Sequence, residues 1–227
     1  MIRRIAWQKY LFEVITIFVG ITLTLLADGW KEDLAERKKE MLLLRQLRDN
    51  LAGDYQYLKE EISILKEGIR ISDFFLSPDL SPKRLPLPPD SSKQYSRMLQ
   101  MYSTFPFNAT AYQVMRETRD GQLITNLKLL GKIIRLYERN YFDLREYNTI
   151  DKNLILDRLM PHLEANFNST NDILHPANRN ALRSAHFRNI VYNSRHFKRI
   201  QVRLYENQLP VIDSLIREVE VEVKRLE

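Results

Sequence analysis

YLFEVITIFVGITLTLLADGW, residues 10–30, decides how this chain is organised. From Leu11 to Ala27 it carries one charge, Glu13, and no proline. As a helix rising ~1.5 Å per residue, this stretch is about 26 Å long, the short end of what crosses a ~30 Å hydrocarbon core. Ile15, Ile17, Phe18, Val19, Ile21, Leu23, Leu25 and Leu26 spread over the whole circumference. A helix lying on a soluble core would keep a polar side. Trp7 and Tyr10 flank one end and Trp30 the other. Such rings favour the headgroup level, which extends the anchored length to about 34 Å. The stretch therefore reads as a single membrane-spanning helix, with a buried helix of a soluble protein as the competing reading.

A cleaved signal peptide fits less well. Arg3, Arg4 and Lys9 supply a basic start. The apolar core exceeds the usual ~7–15 residues, and Leu25 and Ala27 do not make a small-x-small cleavage site. The expected organisation is a short basic segment over 1–10, a transmembrane helix over 11–30 and an extramembrane domain over 31–227. Orientation is set by Lys and Arg near the ends of the span, and Lys31, Arg37, Lys38 and Lys39 balance the amino side. The amino-side charges lie closer to the span, which places the amino terminus in the cytoplasm and the large domain in the periplasm.

Glu13 is the one costly group in the apolar stretch. Intramembrane acids often mark helix partners or ion paths. Gly20, with Thr16, Thr22 and Thr24, would let a second helix approach and hydrogen-bond. The simpler account is that Glu13, one turn inside the boundary, pairs with Lys9, four residues earlier on the same face, or snorkels to the headgroups.

Composition narrows the rest. The chain has 227 residues, 28% charged, with net charge +6, only 6 glycines and no cysteine. Abundant Leu, Ile, Glu, Lys and Arg favour helices. Absent cysteine removes disulfides, thiol catalysis, cysteine–zinc sites and a lipidated lipobox. Glu32 to about Phe75 reads as one long helix, with Leu44, Leu51, Leu58 and Leu65 at sevenfold spacing and Tyr55, Ile62 and Ile69 between them. Nothing interrupts it after the apolar stretch, so the two should form one rod. Residues 77–93 hold five prolines and should be a loop. A short helix is expected over 94–104 and another from Asn108 to Thr118, stopped by Gly121. Asn126 should cap a long helix from Leu127 to about Met160, with Pro161 and the NFNSTND run from Asn166 to Asp172 as the next break. Asn178 or Asn180 should cap a last helix bent at Pro210. The fold class is all-α: one transmembrane helix followed by a coiled-coil-like bundle of long helices.

Three stretches carry a resemblance. YLFEVITIFVGITLTLLADGWKEDLAERKKE, FNATAYQVMRETRDGQLITNLKLLGKIIRLYERNY and HFRNIVYNSRHFKRIQ resemble a bacterial single-span membrane protein family catalogued only as a domain of unknown function. Glu13, Gly20 and Trp30 fall where that family has a glutamate, a central glycine and a closing tryptophan. The family span ends in Asn-Asn-Trp, whereas this chain has Ala27-Asp28-Gly29-Trp30. The resemblance implies an amino-terminal anchor, a helical domain and no catalytic residues.

Chemistry-bearing motifs are sparse. His162, His175, His186 and His196 form no HExxH or comparable helical pair. They read as surface or internally satisfied groups, so no metal or cofactor is expected. There is no nucleophile elbow, P-loop or dinucleotide fingerprint. From Ile173 to Tyr205 no acid occurs, while Arg179, Arg183, Arg188, Arg195, Lys198, Arg199 and Arg203 do, interleaved with Phe187, Tyr192, Phe197 and Tyr205. Behind a membrane anchor, nucleic acid is not the expected partner. An anionic surface competes with internal pairing to acids of the first helix, Asp54, Glu60, Glu61 and Glu67. Asn108 and Asn168 match Asn-x-Ser/Thr, and Asn108 reads better as a cap.

The expected function is structural: a non-catalytic accessory or scaffold subunit at the bacterial inner membrane, contacting other membrane proteins or itself. The alternative is a membrane-anchored sensor binding a ligand between helices, with Tyr112, Tyr137, Tyr141 and Tyr147 as candidate lining, and working through a partner.

Overall fold

The computed structural model describes residues 2–78, 80, 92–117, 123–168 and 172–227. Most of the proline-rich stretch, Gly121, part of the NFNSTND run and the side chains of Arg3 and Arg4 lie outside the described residues. The described chain is all-helical. Helix α1 spans Ile2–Leu76 without a break, about 110 Å at ~1.5 Å per residue. It joins the apolar stretch directly to the leucine stripe, as the missing proline predicts.

Helix α2 (Ser92–Gln100) and α3 (Thr110–Glu117) are short. Helix α4 covers residues 127–166 and contains two π turns, Leu136–Asn140 and Ile155–Leu159. A short helix α5, Arg179–Arg183, leads to α6, Ala185–Leu226.

Pairings between helices fix the architecture. Arg45 meets Glu227, Lys66 meets Glu206 and Asp73 meets Arg195, so α6 runs antiparallel to α1. Lys132 meets Glu218, Asn140 meets Gln208 and Lys198 meets Asp151, so α6 is also antiparallel to α4. Helices α1 and α4 are thus parallel neighbours in a three-helix bundle. A parallel pair needs a return connection along its whole length. Residues 77–126 provide it, which is why α2 and α3 sit between the two long helices in sequence and pack on α1.

The bundle begins at Glu40, and residues 30–39 of α1 are exposed. Leu44, Leu51, Leu58 and Leu65 are buried, as their spacing predicts. They join Leu129, Ile133, Leu136 and Tyr141 of α4 and Tyr205, Ile212 and Val219 of α6 in the core nearer the apolar segment. A second core lies at the far end, built on Phe74, Phe75, Tyr95, Leu159, Phe187 and Ile190. Burying each such side chain contributes roughly 1.5–3 kcal/mol.

Two sequence expectations need correction. Pro161 does not end α4, which continues to Asn166. The π turn before it shifts the bonding, with the Met160 N–H reaching the Ile155 carbonyl, and proline enters where the ladder is already widened. Neither Asn178 nor Asn180 starts the last helix. Ser184 does, in extended geometry, its Oγ accepting from the Phe187 N–H at 3.2 Å. Asn178 instead pins the preceding loop, accepting from the Asn168 N–H at 2.8 Å and donating to the Asp172 carbonyl at 3.0 Å. The helix after Asn108 starts at Thr110, whose N–H donates to the Asn108 side chain at 3.2 Å. Pro210 lies inside α6, which is one helix on both sides of it.

Candidate functional site

Two regions hold most of the residues singled out from the sequence, and a third emerges from the fold. The first is the apolar segment of α1. Its most apolar window is wholly unburied, and among the described residues α1 is the one helix long and apolar enough to cross a membrane. Trp7, Lys9, Tyr10, Glu13, Gly20 and Trp30 are all exposed on it, and nothing lies within 4 Å of where a Gly20 side chain would begin. Thr16 and Thr24 donate to the carbonyls of Phe12 and Gly20 at 2.8 and 3.0 Å, so their hydroxyls are satisfied within the helix. No Lys9–Glu13 ion pair forms among the described residues.

The second is the arginine face of α6. Arg195 and Arg199 both reach Asp73 of α1, at 2.6 and 3.3 Å. Arg188 donates to the carbonyls of Leu76 and Ser77 at 2.6 and 3.3 Å, closing the carboxyl end of α1 where orphan carbonyls remain. Arg203 stays exposed. The acid that answers these cations is Asp73. Asp54, Glu60 and Glu67 do not, while Glu61 acts on Lys198 of the same run. Asp54 is buried, where Tyr141 donates to it at 2.8 Å and the Asn108 N–H at 2.8 Å.

The third region was not legible in the sequence. A polar layer crosses the bundle between its two apolar cores. Lys198 and Asp151 are 2% and 0% exposed and meet at 2.9 Å. Ser194 bridges them, donating to Asp151 at 3.2 Å and accepting from Lys198 at 2.9 Å. The Lys198 stem lies 3.5 Å from where a Gly68 Cβ would stand. Gln201 and Tyr205 both donate to the Asn148 side-chain oxygen Oδ1, at 3.0 and 2.9 Å, and Tyr205 also meets Ser103 at 2.8 Å. Glu61 completes the layer through Ser103 and Tyr57. Burial raises the Asp151, Asp54 and Glu61 carboxyls above their usual range, and Lys198 partly offsets this for Asp151 and Glu61. Its lysine, carboxylates and amides are buried, with the half-buried Tyr57 at its edge, which suits the layer to fixing helix register.

Of the four tyrosines weighed as pocket lining, three pack as core. Tyr112 stacks on Tyr137 at 4.6 Å, and Tyr137 meets Tyr141 edge-on at 5.2 Å. Tyr112 donates to Glu138 at 2.6 Å, and burial with that carboxylate pushes its phenol up to about 12. Tyr147 is half-buried.

Open grooves occur elsewhere, where the two π turns of α4 face α6. One lies between Leu136, Asn140, Pro210 and Val211. The other lies at the far end, between Arg158 and His162 of α4 and His186 and Asn189 of α6, with a cavity of about 810 Å³. It brings two of the histidines ring to ring, 4.7 Å between centroids. His175 instead accepts from the Ala177 N–H at 3.2 Å, and His196 lies beside Phe197. Among the described residues no three acids or histidines are placed to hold a metal ion. No family model, curated protein or solved structure matches this chain.

Proposed function

We propose that this chain is a membrane-anchored interaction protein: residues 11–27 cross the bilayer and the bundle from Glu40 onward presents its far end to a partner. The observation that carries this reading is the contrast within α1. Its apolar segment has no protein cover, and every residue of 11–27 is exposed. An uncovered apolar patch of that size in water is costly, and a bilayer supplies what the chain does not. The aromatic residues Trp7, Tyr10 and Trp30 stand where headgroups would meet the helix. The resemblance to a bacterial single-span family and the basic amino side favour an inner-membrane protein with a periplasmic bundle.

Non-catalytic work fits the buried layer, whose ionisable groups have no open access, and the absence of a recognisable catalytic motif. If α1 stands in the bilayer, Asp73 and its arginines sit about 65 Å along the rod from Trp30. Lipid headgroups of the same membrane are then out of reach of Arg188, Arg195, Arg199 and Arg203, and their service is internal. Gentle solubilisation of the native membrane followed by native mass measurement tests the reading. A defined heavier complex with one recurrent companion supports it. Release of the full chain from membranes by alkaline carbonate defeats the anchor. A lone monomer defeats the accessory-subunit role. The sensor alternative draws its support from the open far-end groove.

A further inference from the structure

We propose that the far-end groove between α4 and α6 binds a small, soluble, phosphate-bearing molecule. Its volume, about 810 Å³, lies within the roughly 300–1,000 Å³ typical of ligand sites. The second π turn of α4, Ile155–Leu159, forms one wall, and π turns recur at functional sites. That turn carries Arg158, which is exposed and has no ion-pair partner among the described residues. The other wall is the start of α6, within the acid-free run from Ile173 to Tyr205. Ile190 is buried beneath.

The hydrogen-bonding state of His162 identifies the ligand chemistry. Asn166 Nδ2 donates to the His162 carbonyl at 2.9 Å, which fixes the amide nitrogen, and the same nitrogen lies 3.1 Å from His162 Nδ1. Nδ1 must therefore accept, and the ring proton sits on Nε2. That Nε2 is buried with no hydrogen-bond partner. A buried donor left unpaired is costly, and it calls for an acceptor. The His186 ring lies 4.7 Å from the His162 ring, and Arg158, Asn189 and Asn193 line the same groove. This is a donor-rich wall, and a guanidinium fork matches phosphate oxygens in pairs. Burial and the neighbouring His186 hold His162 below its ordinary range, so a dianion would also favour its charged form. Asp157, the one carboxylate on the lining, opposes an anion and gives the test a sign.

A lipid headgroup has the same chemistry. On the membrane reading the groove stands about 70 Å along α1 from Trp30, which excludes headgroups of the anchoring bilayer. Only this exclusion rests on that reading, because binding is measured on the full chain in detergent.

The experiment titrates inorganic phosphate, and separately pyrophosphate, into the full-length protein at about pH 6, against chloride at matched ionic strength. Binding is read by calorimetry and by the rise in melting midpoint. Arg158→Gln and His186→Gln should each weaken binding by about tenfold or more, and Asp157→Asn should tighten it severalfold. All three side chains are exposed, so the unliganded midpoints should match wild type. No binding at millimolar phosphate overturns the proposal. So does equal binding by wild type and all three variants. Zinc binding by the histidine pair that phosphate leaves unchanged overturns it as well.

Discussion

Two halves of one helix meet opposite fates. Residues 11–27 and 44–65 of α1 belong to the same continuous backbone, and both are rich in leucine and isoleucine. The first is exposed on every side; the second buries Leu44, Leu51, Leu58 and Leu65. The difference lies in arrangement rather than amount. In the second half the apolar residues keep to one stripe, and charges such as Lys59, Glu60 and Lys66 hold the other side in water. In the first they go round the axis, and no single neighbouring helix can cover them. Distribution around the helix decides whether neighbouring helices can cover each half.

The sharpest way to break this comparison is to place one carboxylate in each half. Leu51→Asp buries an unpaired charge at the centre of the bundle and should cost more than about 4 kcal/mol, seen as loss of the cooperative urea transition. Leu23→Asp should leave that transition unchanged and weaken membrane insertion by roughly 2.5–3.5 kcal/mol, seen in alkaline extraction. A bundle destabilised by Leu23→Asp would mean that the apolar half has a protein partner.

The buried half also supports a charge, which the next experiment isolates. Lys198→Met alone strands Asp151 and should cost about 3–5 kcal/mol by denaturation. Lys198→Met with Asp151→Leu should recover most of that loss. Equal losses in the single and double variants would show that the layer's remaining hydrogen bonds, not the ion pair, set the cost.

A smaller effect follows from pH. Burial raises Asp54, Glu61 and Asp151 above their unfolded values. Between the ordinary carboxylate range and those raised values, the folded chain holds protons that the unfolded chain has released. Their contribution to stability is therefore present at the acid side and is lost as pH rises through the folded values. The urea midpoint should rise as pH falls from neutrality toward the ordinary carboxylate range, and Asp54→Asn should flatten the curve. Glu222 acts in the opposite sense. Although burial opposes it, hydrogen bonds from Asn126 and Arg225 lower its carboxyl, so its contribution fades as pH falls through its folded value.

The smallest test contrasts two glycines. A methyl at Gly68 would rest 3.5 Å from the Lys198 stem, ordinary contact, so Gly68→Ala should stabilise the bundle by about 0.5–1 kcal/mol through helix propensity. Gly20→Ala, with nothing near it, should not move the bundle's transition at all. A loss of stability in Gly68→Ala would mean that Lys198 needs the full width of that gap.

What the sequence made legible follows from periodicity. The leucine stripe, the uninterrupted rod and the Asn126 cap are local signals, and each is present; Asn126 accepts from the Leu129 N–H at 3.1 Å. Helix breaks were read less well because proline's effect depends on hydrogen bonds that neighbours make. At Pro161 a π turn had already altered them. The polar layer was hidden for a different reason. Asp151 and Lys198 each look like surface charges within their own helix, and only the antiparallel register of α4 and α6 puts them together inside. The histidine pair follows the same rule, since His162 and His186 belong to those two helices and to the same register. The arginine run was visible, but its counter-ion, Asp73, lies at the far end of α1, beyond the acids weighed for it.

The exposed stretch 30–39 joins the two halves with no proline, no described break and no covering contact. A stiff connection of this kind works as a lever. Transmembrane helices tilt by about 20° on average, and at about 70 Å from the pivot that tilt sweeps roughly 24 Å. On the proposal that residues 11–27 span a bilayer, a change in its thickness of a few ångströms would swing the tip of the molecule across a distance comparable to a small protein's width.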